Sequence, residues 1–551
     1  MLLKMLALAA ALIAFPLAAE DSAAPIDRLL DRIIEREAAL IGALQIRTPV
    51  VETYIQESPE TTGDDAHPLK DHYFLGKVRI DSALEYTPLI ERTDAALKSA
   101  LPWLPFLRGA KNQSMTFVPR GFAQMAFPDL HDFNRQTYGF AFVRREFLGE
   151  VRCLVFDVTP LRSESGRFLG RMWVEDIGDA IVRFNGTYSS VSPPKRAPLD
   201  HYFQFDSWRV NVAPDHVVQN HVPASLWVPS QIYVEEQGSS TGGGPAVPRF
   251  KSQTRLWGYQ AGPSDKFAEL TQILVEPSPE IEDNARPKDF SPLESQRSWE
   301  RQAEDNILTR LEQSGMLAPP GPVDEVLNTV VNNLIISANL NIEAHCRVLL
   351  STPLETFSVG RTIVISRGLI DVLPDEASLA LVLADELSHI ALGHRTPTQF
   401  AFRNQTMLAD AQVFGRLHFE RTAPELEAAE AKTIEIMQAS PYQKTANAGL
   451  FLKALDSQRA LLPRLLAANI GNQLANPEAL GRLAAFTSAA PDLRENELKQ
   501  IAALPLGSRI KVDPWSSQIS LIQTRPLDIL SPREKMPFEI TPFILYLTRL
   551  P

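Results

Sequence analysis

The chain has 551 residues, with 66 acidic side chains against 54 basic ones and a net charge of −12. Apolar residues make up 44% and charged residues 22%, the balance of a folded protein with more than one core, which excludes a disordered or wholly membrane-embedded chain. The acidic excess and the lack of a Lys/Arg run exclude a nucleic-acid partner, and two cysteines, Cys153 and Cys346, exclude a disulfide framework and read as separate buried thiols.

In chain order, residues 1–19 have a Lys near the start, an apolar run through Leu17 and the small pair Ala18-Ala19. This is the pattern of a secretory signal peptide cut after Ala19, and it predicts a protein exported to the periplasm or the extracellular space. The run is too short to span a bilayer, and no later segment is long and apolar enough, so the protein is expected not to span a membrane. Apolar residues at helical spacing over Ile26–Leu44 predict an amphipathic helix within an N-terminal helical segment, 26–60. Residues 70–276 alternate apolar and polar in short runs rich in aromatic and β-branched residues, the signature of antiparallel strands. Within them, 170–184 reads as a hairpin and the Gly-rich 238–248 as a loop joining two more strands. Proline and charge in PSPEIEDNARPKDFSP (277–292) mark a linker. Residues 293–505 read as mainly helical, with two short strands, Val348–Ser351 and Thr362–Ser366. The proline-containing tail, 506–551, reads as an extended strap. The fold class is therefore α+β with two domains: an open antiparallel β-sheet or half-barrel, then a mainly helical unit with a small sheet.

The strands between Tyr73 and Val275 resemble the lipoprotein-carrier (LolA/LolB-like) fold, an open curved sheet wrapped over helices. That resemblance implies an apolar groove for a lipid acyl chain or a peptide; the alternation alone implies only a packed sheet domain.

The chemistry concentrates in one later helix. Pro374-Asp375-Glu376 is a helix start with acid at the positive end of the dipole, and Gly393 is a stop. Between them ASLALVLADELSHIAL is apolar nearly all round, which predicts burial. Its polar residues form one cluster, Asp385, Glu386, Ser388 and His389. Asp385 and His389 are four apart and share a face, with Glu386 alongside. Buried charges are costly unless paired or bound to a cation.

The run TFSVGRTIVISRGLIDVLPDEASLALVLADELSHIALGH (356–394) resembles the CAAX-prenyl-protease/HtpX-like zinc endopeptidases, metallopeptidase family forty-eight. The shared features are a turn at Gly360, a strand, the Gly368-Leu369 pair and a helix in the place of H-E-x-x-H. The resemblance implies Zn2+ held by Asp385, His389 and Glu427, with Glu386 as the base that takes a proton from bound water. It also implies an edge strand, Thr362, Ile363, Val364, Ile365 and Ser366, pairing with an extended polypeptide substrate, and supporting hydrogen bonds from His394 and Glu430. The sequence departs from the family in carrying Asp385, whose donor lies nearer the backbone than an imidazole's. In the next helix, Thr422 and Glu425 have capping-box spacing, which leaves Glu427 as third ligand, with Glu425 and Glu430 as alternatives. His418 reads as a surface histidine, and His345, just before a strand, is not read as a ligand. The resulting function is that of an exported zinc-dependent endopeptidase acting on envelope or secreted proteins. The alternative is a peptidase-fold client-binding protein, an envelope chaperone or scaffold, with Asp385 and His389 hydrogen-bonded to each other without an ion.

Overall fold

A computed structural model of the chain describes residues 23–59, 68–81, 83–90, 117–189, 203–213, 226–236, 249–260, 292–398, 401, 410–443, 446–474, 483–494, 509–522, 540, 545 and 547–549. The expected signal peptide, the 238–248 loop and the linker apart from residue 292 lie outside the described residues.

Ten strands form one open sheet: β1 (Val50–Ser58), β2 (Lys70–Ile80), β3 (Leu84–Pro88), β4 (Tyr138–Leu148), β5 (Val151–Pro160), β6 (Phe168–Glu175), β7 (Ile181–Tyr188), β8 (Phe205–Val212), β9 (Leu226–Glu236) and β10 (Arg249–Trp257). Their order is β3-β2-β1-β10-β9-β8-β7-β6-β5-β4. The neighbouring pairs run antiparallel, β6 and β7 being the expected hairpin. The expected helical segment 26–60 divides in two. Helix α1 covers Ala23–Gln45, but residues 50–58 form an inner strand of the sheet. VVETYIQES alternates two sets of side chains between two buried faces, so its polar residues hide a strand period.

Both faces of β1 are buried. One carries Val51 and Ile55, and joins Leu30, Ile33, Leu40 and Leu44 of α1 to an aromatic cluster around Phe168, Phe184, Phe205 and Phe250. A buried bidentate pair from Arg209 to Glu37, 2.6 and 2.7 Å, fixes α1 there. Helix α1 thus covers the aromatic face of the sheet. The opposite face, with Val50, Tyr54, Trp208 and Trp257, belongs to the same apolar cluster as the C-terminal unit. Cys153 and Cys346 are separate, buried and free, and burial pushes both thiols up to about 12.

The C-terminal unit contains α2 (Pro292–Gln313), α3 (Pro322–Ser337), α4 (Arg367–Val372), α5 (Glu376–Ala391), α6 (Ala423–Ala439) and α7 (Asn447–Gln458). Its small sheet has β11 (His345–Leu349), β12 (Glu355–Val359), β13 (Thr362–Ser366) and β14 (Asn472–Gln473) in the order β11-β13-β12-β14. Strand β13 is therefore internal, parallel to β11 and antiparallel to β12. This corrects the expectation for Thr362, Ile363, Val364, Ile365 and Ser366, whose main-chain edges are already used and cannot receive a substrate strand. The β-branched run of residues 362–365 suits a central strand as well as an edge, so composition alone could not separate the two. In the expected strap, Ile510–Val512 and Ile519–Leu521 form a small hairpin, β15 and β16.

The sheet and the C-terminal unit meet around Glu52 of β1. Its Oε1 accepts hydrogen bonds from the Thr352 amide at 2.6 Å and the Tyr73 hydroxyl at 2.9 Å. Its Oε2 accepts from Arg367 and the Thr352 hydroxyl, each at 2.7 Å. Glu52 and Arg367 are both almost fully buried, so removing either partner leaves an uncompensated charge. Glu52→Ala is expected to destabilise the protein by about 3–5 kcal/mol, read as a lowered urea midpoint; an unchanged midpoint would show that the pair does not hold the two units together.

Candidate functional site

Helix α5 starts as the sequence predicts. Asp375 is its N-cap and accepts from the Ser378 amide at 2.9 Å, while Gly393, two residues beyond the helix, has a φ of 70° that glycine adopts without strain. The turn at Gly360 also has a positive φ, 57°. A Cβ on Gly368 would lie 1.7 Å from the Thr352 carbonyl oxygen, so the Gly-Leu pair is set by close backbone approach.

Glu386 and His389 are fully buried and Asp385 is half-buried. Glu386 Oε1 accepts from the Thr356 hydroxyl of β12 at 2.9 Å and from the Asn472 amide of β14 at 2.8 Å. Its Oε2 is buried with no hydrogen-bond partner. The Nδ1 atoms of His389 and His394 lie 2.7 Å apart, so one ring donates to the other, and His389 Nε2 is buried with no partner. The expected hydrogen bond between Asp385 and His389 is thus replaced by one between two imidazoles. Burial, aided by the nearby Arg421 guanidinium and the second ring, lowers the His389 pKa to about 4, so this ring is neutral at pH 7.

Asp385 faces α6. The Thr433 hydroxyl lies 3.3 Å from Asp385 Oδ1, 2.9 Å from the Ala429 carbonyl and 3.0 Å from Ser388 Oγ. Ser388 in turn donates to the Ala384 carbonyl at 2.7 Å. This hydroxyl bridge packs α6 on α5 and draws the first expected ligand toward the helix interface.

The capping box at the start of α6 forms as predicted, with Glu425 accepting from the amide and the hydroxyl of Thr422, both at 2.9 Å. Glu427 is exposed. The carboxylates that act on the His389 ring are Glu386 and Glu425, and Glu425 acts on His394 as well. Glu425, at the start of α6, is thus the α6 carboxylate that acts on both rings. Glu430 is half-buried on α6. Among the described residues, no three His, Cys, Asp or Glu side chains converge closely enough to hold a metal ion. Asp385 is drawn to Thr433 and Glu425 to its cap, so this donor set does not fit a three-ligand zinc site. His389 Nε2 is the one buried imidazole nitrogen without a partner among the described residues, and by itself supplies a single donor.

Two groups that sequence reasoning did not single out complete the site. Arg421, buried, donates to the Arg395 carbonyl and to Ser358 Oγ, both at 2.8 Å. Asn472 joins its neighbours by donating to Glu386 and accepting from the Arg421 amide at 3.1 Å. No motif marks either, since each acts through a contact between segments distant in sequence. Removing His394 would strip His389 Nδ1 of its partner. His394→Ala is expected to cost about 1–3 kcal/mol in chemical denaturation, and wild-type stability in that variant would show that the ring pair carries no weight.

The described residues include no helix long and apolar enough to cross a membrane. A search of curated proteins finds no match. Among solved structures, a LolA superfamily protein from Nitrosomonas europaea is 13% identical, with 42% of this chain and 90% of that one covered and a TM-score of 0.19. A MucA/MucB complex from Pseudomonas aeruginosa gives 9% identity, 41% and 93% coverage and a TM-score of 0.14. Residues 323–450, which run from the first turn of α3 into α7 and contain the motif helix, match the family model described as peptidase family M48.

Proposed function

We propose that this chain is an exported peptidase-fold protein that holds a polypeptide client without hydrolysing it, an envelope chaperone or scaffold. Export rests on the N-terminal sequence, and polypeptide binding on the family match of residues 323–450. The observation that carries the non-hydrolytic reading is that the expected donors do not converge among the described residues: Asp385 Oδ1 lies by Thr433 of α6, Glu427 is exposed, and the alternative Glu425 is engaged in its own helix cap.

Zinc-dependent endopeptidase activity is the second reading, and one observation favours it. Glu386 Oε2 and His389 Nε2 are both buried and unpartnered, and orphaned polar atoms in a protein interior call for a water or an ion. In that reading zinc would activate water, Glu386 would take the proton, and His389 with Asp385 and a glutamate of α6 would supply ligands.

Metal analysis of protein purified in the presence of zinc separates the two. The proposal expects far less than one zinc per chain, no change in thermal midpoint on adding EDTA, and no casein cleavage. Stoichiometric zinc that disappears in Asp385→Ala, together with casein cleavage lost in Glu386→Gln, would overturn it in favour of the endopeptidase.

A further inference from the structure

Where the end of β10 meets the C-terminal unit lies a cleft of about 450 Å³, a volume in the range of small-molecule sites. Three stretches of chain wall it: Gly258 and Gln260 after β10, Thr309 and Glu312 near the end of α2, and the turn 515–517 between β15 and β16. The first stretch is tied to the third by bonds from the Tyr259 amide to the Pro514 carbonyl, 3.2 Å, and from the Gln260 amide to the Trp515 carbonyl, 2.9 Å. Ser517, in the wall, has a φ of 62°, a left-handed conformation that a residue with a Cβ rarely adopts.

Two donors at this wall lack acceptors. Trp515 is 4% exposed, and its Nε1 is buried without a partner. The Arg47 guanidinium stacks over the same indole, 5.0 Å from the ring centroid, and donates to the Gln260 carbonyl at 2.8 Å, while its Nε is buried without a partner. Arg47 is 3% exposed, and among the described residues no acidic side chain acts on it; burial alone lowers its pKa. The nearby acids are engaged elsewhere, Glu312 with Arg347 at 2.7 Å and Asp513 with the amides of Trp515 and Ser516 at 2.8 and 3.4 Å. A clamp between α1 and the turn needs only the stack and the carbonyl bond. Water could satisfy the indole, but it would not neutralise a buried guanidinium, and an anion does both.

We propose that this cleft binds an organic carboxylate, whose charge meets the stacked Arg47 and Trp515 while a compact body of amide and apolar groups fills the space beside α2. One guanidinium and one indole N–H match the two oxygens of a singly charged carboxylate, whereas a phosphate dianion would leave charge unmet. The rest of the wall is mixed, with Leu317 and Pro319 beside Gln260 and Gln313, which suits an amide next to an apolar side chain. That chemistry is shared by an N-acylated amino acid and by the last residue of a polypeptide. Both donor atoms are covered by protein, so the ligand reaches them by displacing the turn that carries Ser517. The inference stands apart from the motif region and from either reading of it.

Titration calorimetry on the full chain tests this with N-acetylleucine, its C-terminal amide, and a decapeptide ending in leucine with a free carboxyl group. The acid is expected to bind at one site per chain and the amide at least about tenfold more weakly. Trp515→Phe keeps the ring and removes the donor, and should weaken binding of the acid about tenfold. Thr309→Tyr, at an exposed position of α2, fills the cleft without touching either donor and should abolish binding. Thermal midpoints near that of the wild type show that each variant is folded. A decapeptide that binds as well as the acid identifies a chain end as the source, and one that is excluded identifies a free acyl amino acid; both uphold the carboxylate site. No saturable binding of the acid, equal affinity for acid and amide, or wild-type affinity in Thr309→Tyr would overturn it.

Discussion

The buried carboxylate of Glu386 governs the arrangement of the motif region. A charge inside an apolar helix must be met by donors, and here they come from two strands: a hydroxyl from β12 and a side-chain amide from β14. The first contact docks α5 on the small sheet. The second brings in residues 469–473, which Glu355, another buried carboxylate, holds through three backbone amides. Two buried acids, one on α5 and one on β12, thus organise the segment that closes the edge of β12.

Positive charge in this region is supplied by the chain. Arg421 is buried against β12 and near both imidazoles, and it opposes protonation of either ring. A neutral His389 bonded to His394, beside a fixed guanidinium, leaves its own Nε2 and Glu386 Oε2 among the buried atoms without a partner. A dication placed there would meet that guanidinium's charge in a poorly solvated setting, an opposition that an H-E-x-x-H site without such a neighbour does not have. The capping box adds a local constraint, because an acid engaged at N3 of α6 gives up part of its capacity to bind anything else.

The same logic joins the two halves of the molecule. Glu52 comes from an inner strand of the large sheet and meets Arg367 and Thr352 of the C-terminal unit, while Trp257 donates to the Gly315 carbonyl at 2.7 Å. Asp71 of β2 accepts the amides of Arg464 and Leu465, a few residues before the segment held by Glu355. The large sheet therefore presents one face to α1 and the other to the peptidase-like unit, with buried polar contacts that fix the second docking.

Local signals were enough for much of this. The period of α1, the caps of α5 and α6, the turn glycines and the strand alternation are dictated by neighbours within a few residues, and each was legible in the sequence. So was the cluster of Asp385, Glu386 and His389, because an acid and an imidazole in an apolar helix stand out whatever surrounds them. Tertiary structure alone decided what those groups touch. Spacing put Asp385 and His389 on one face, but Thr433 and His394 took their hydrogen bonds; a strand of suitable composition at 362–366 became internal when β12 and β11 flanked it; and Asn472, remote in sequence and without a motif, filled the remaining edge. Helical and strand periods report which face a residue occupies, whereas its partners are set by chain segments whose approach no local pattern encodes.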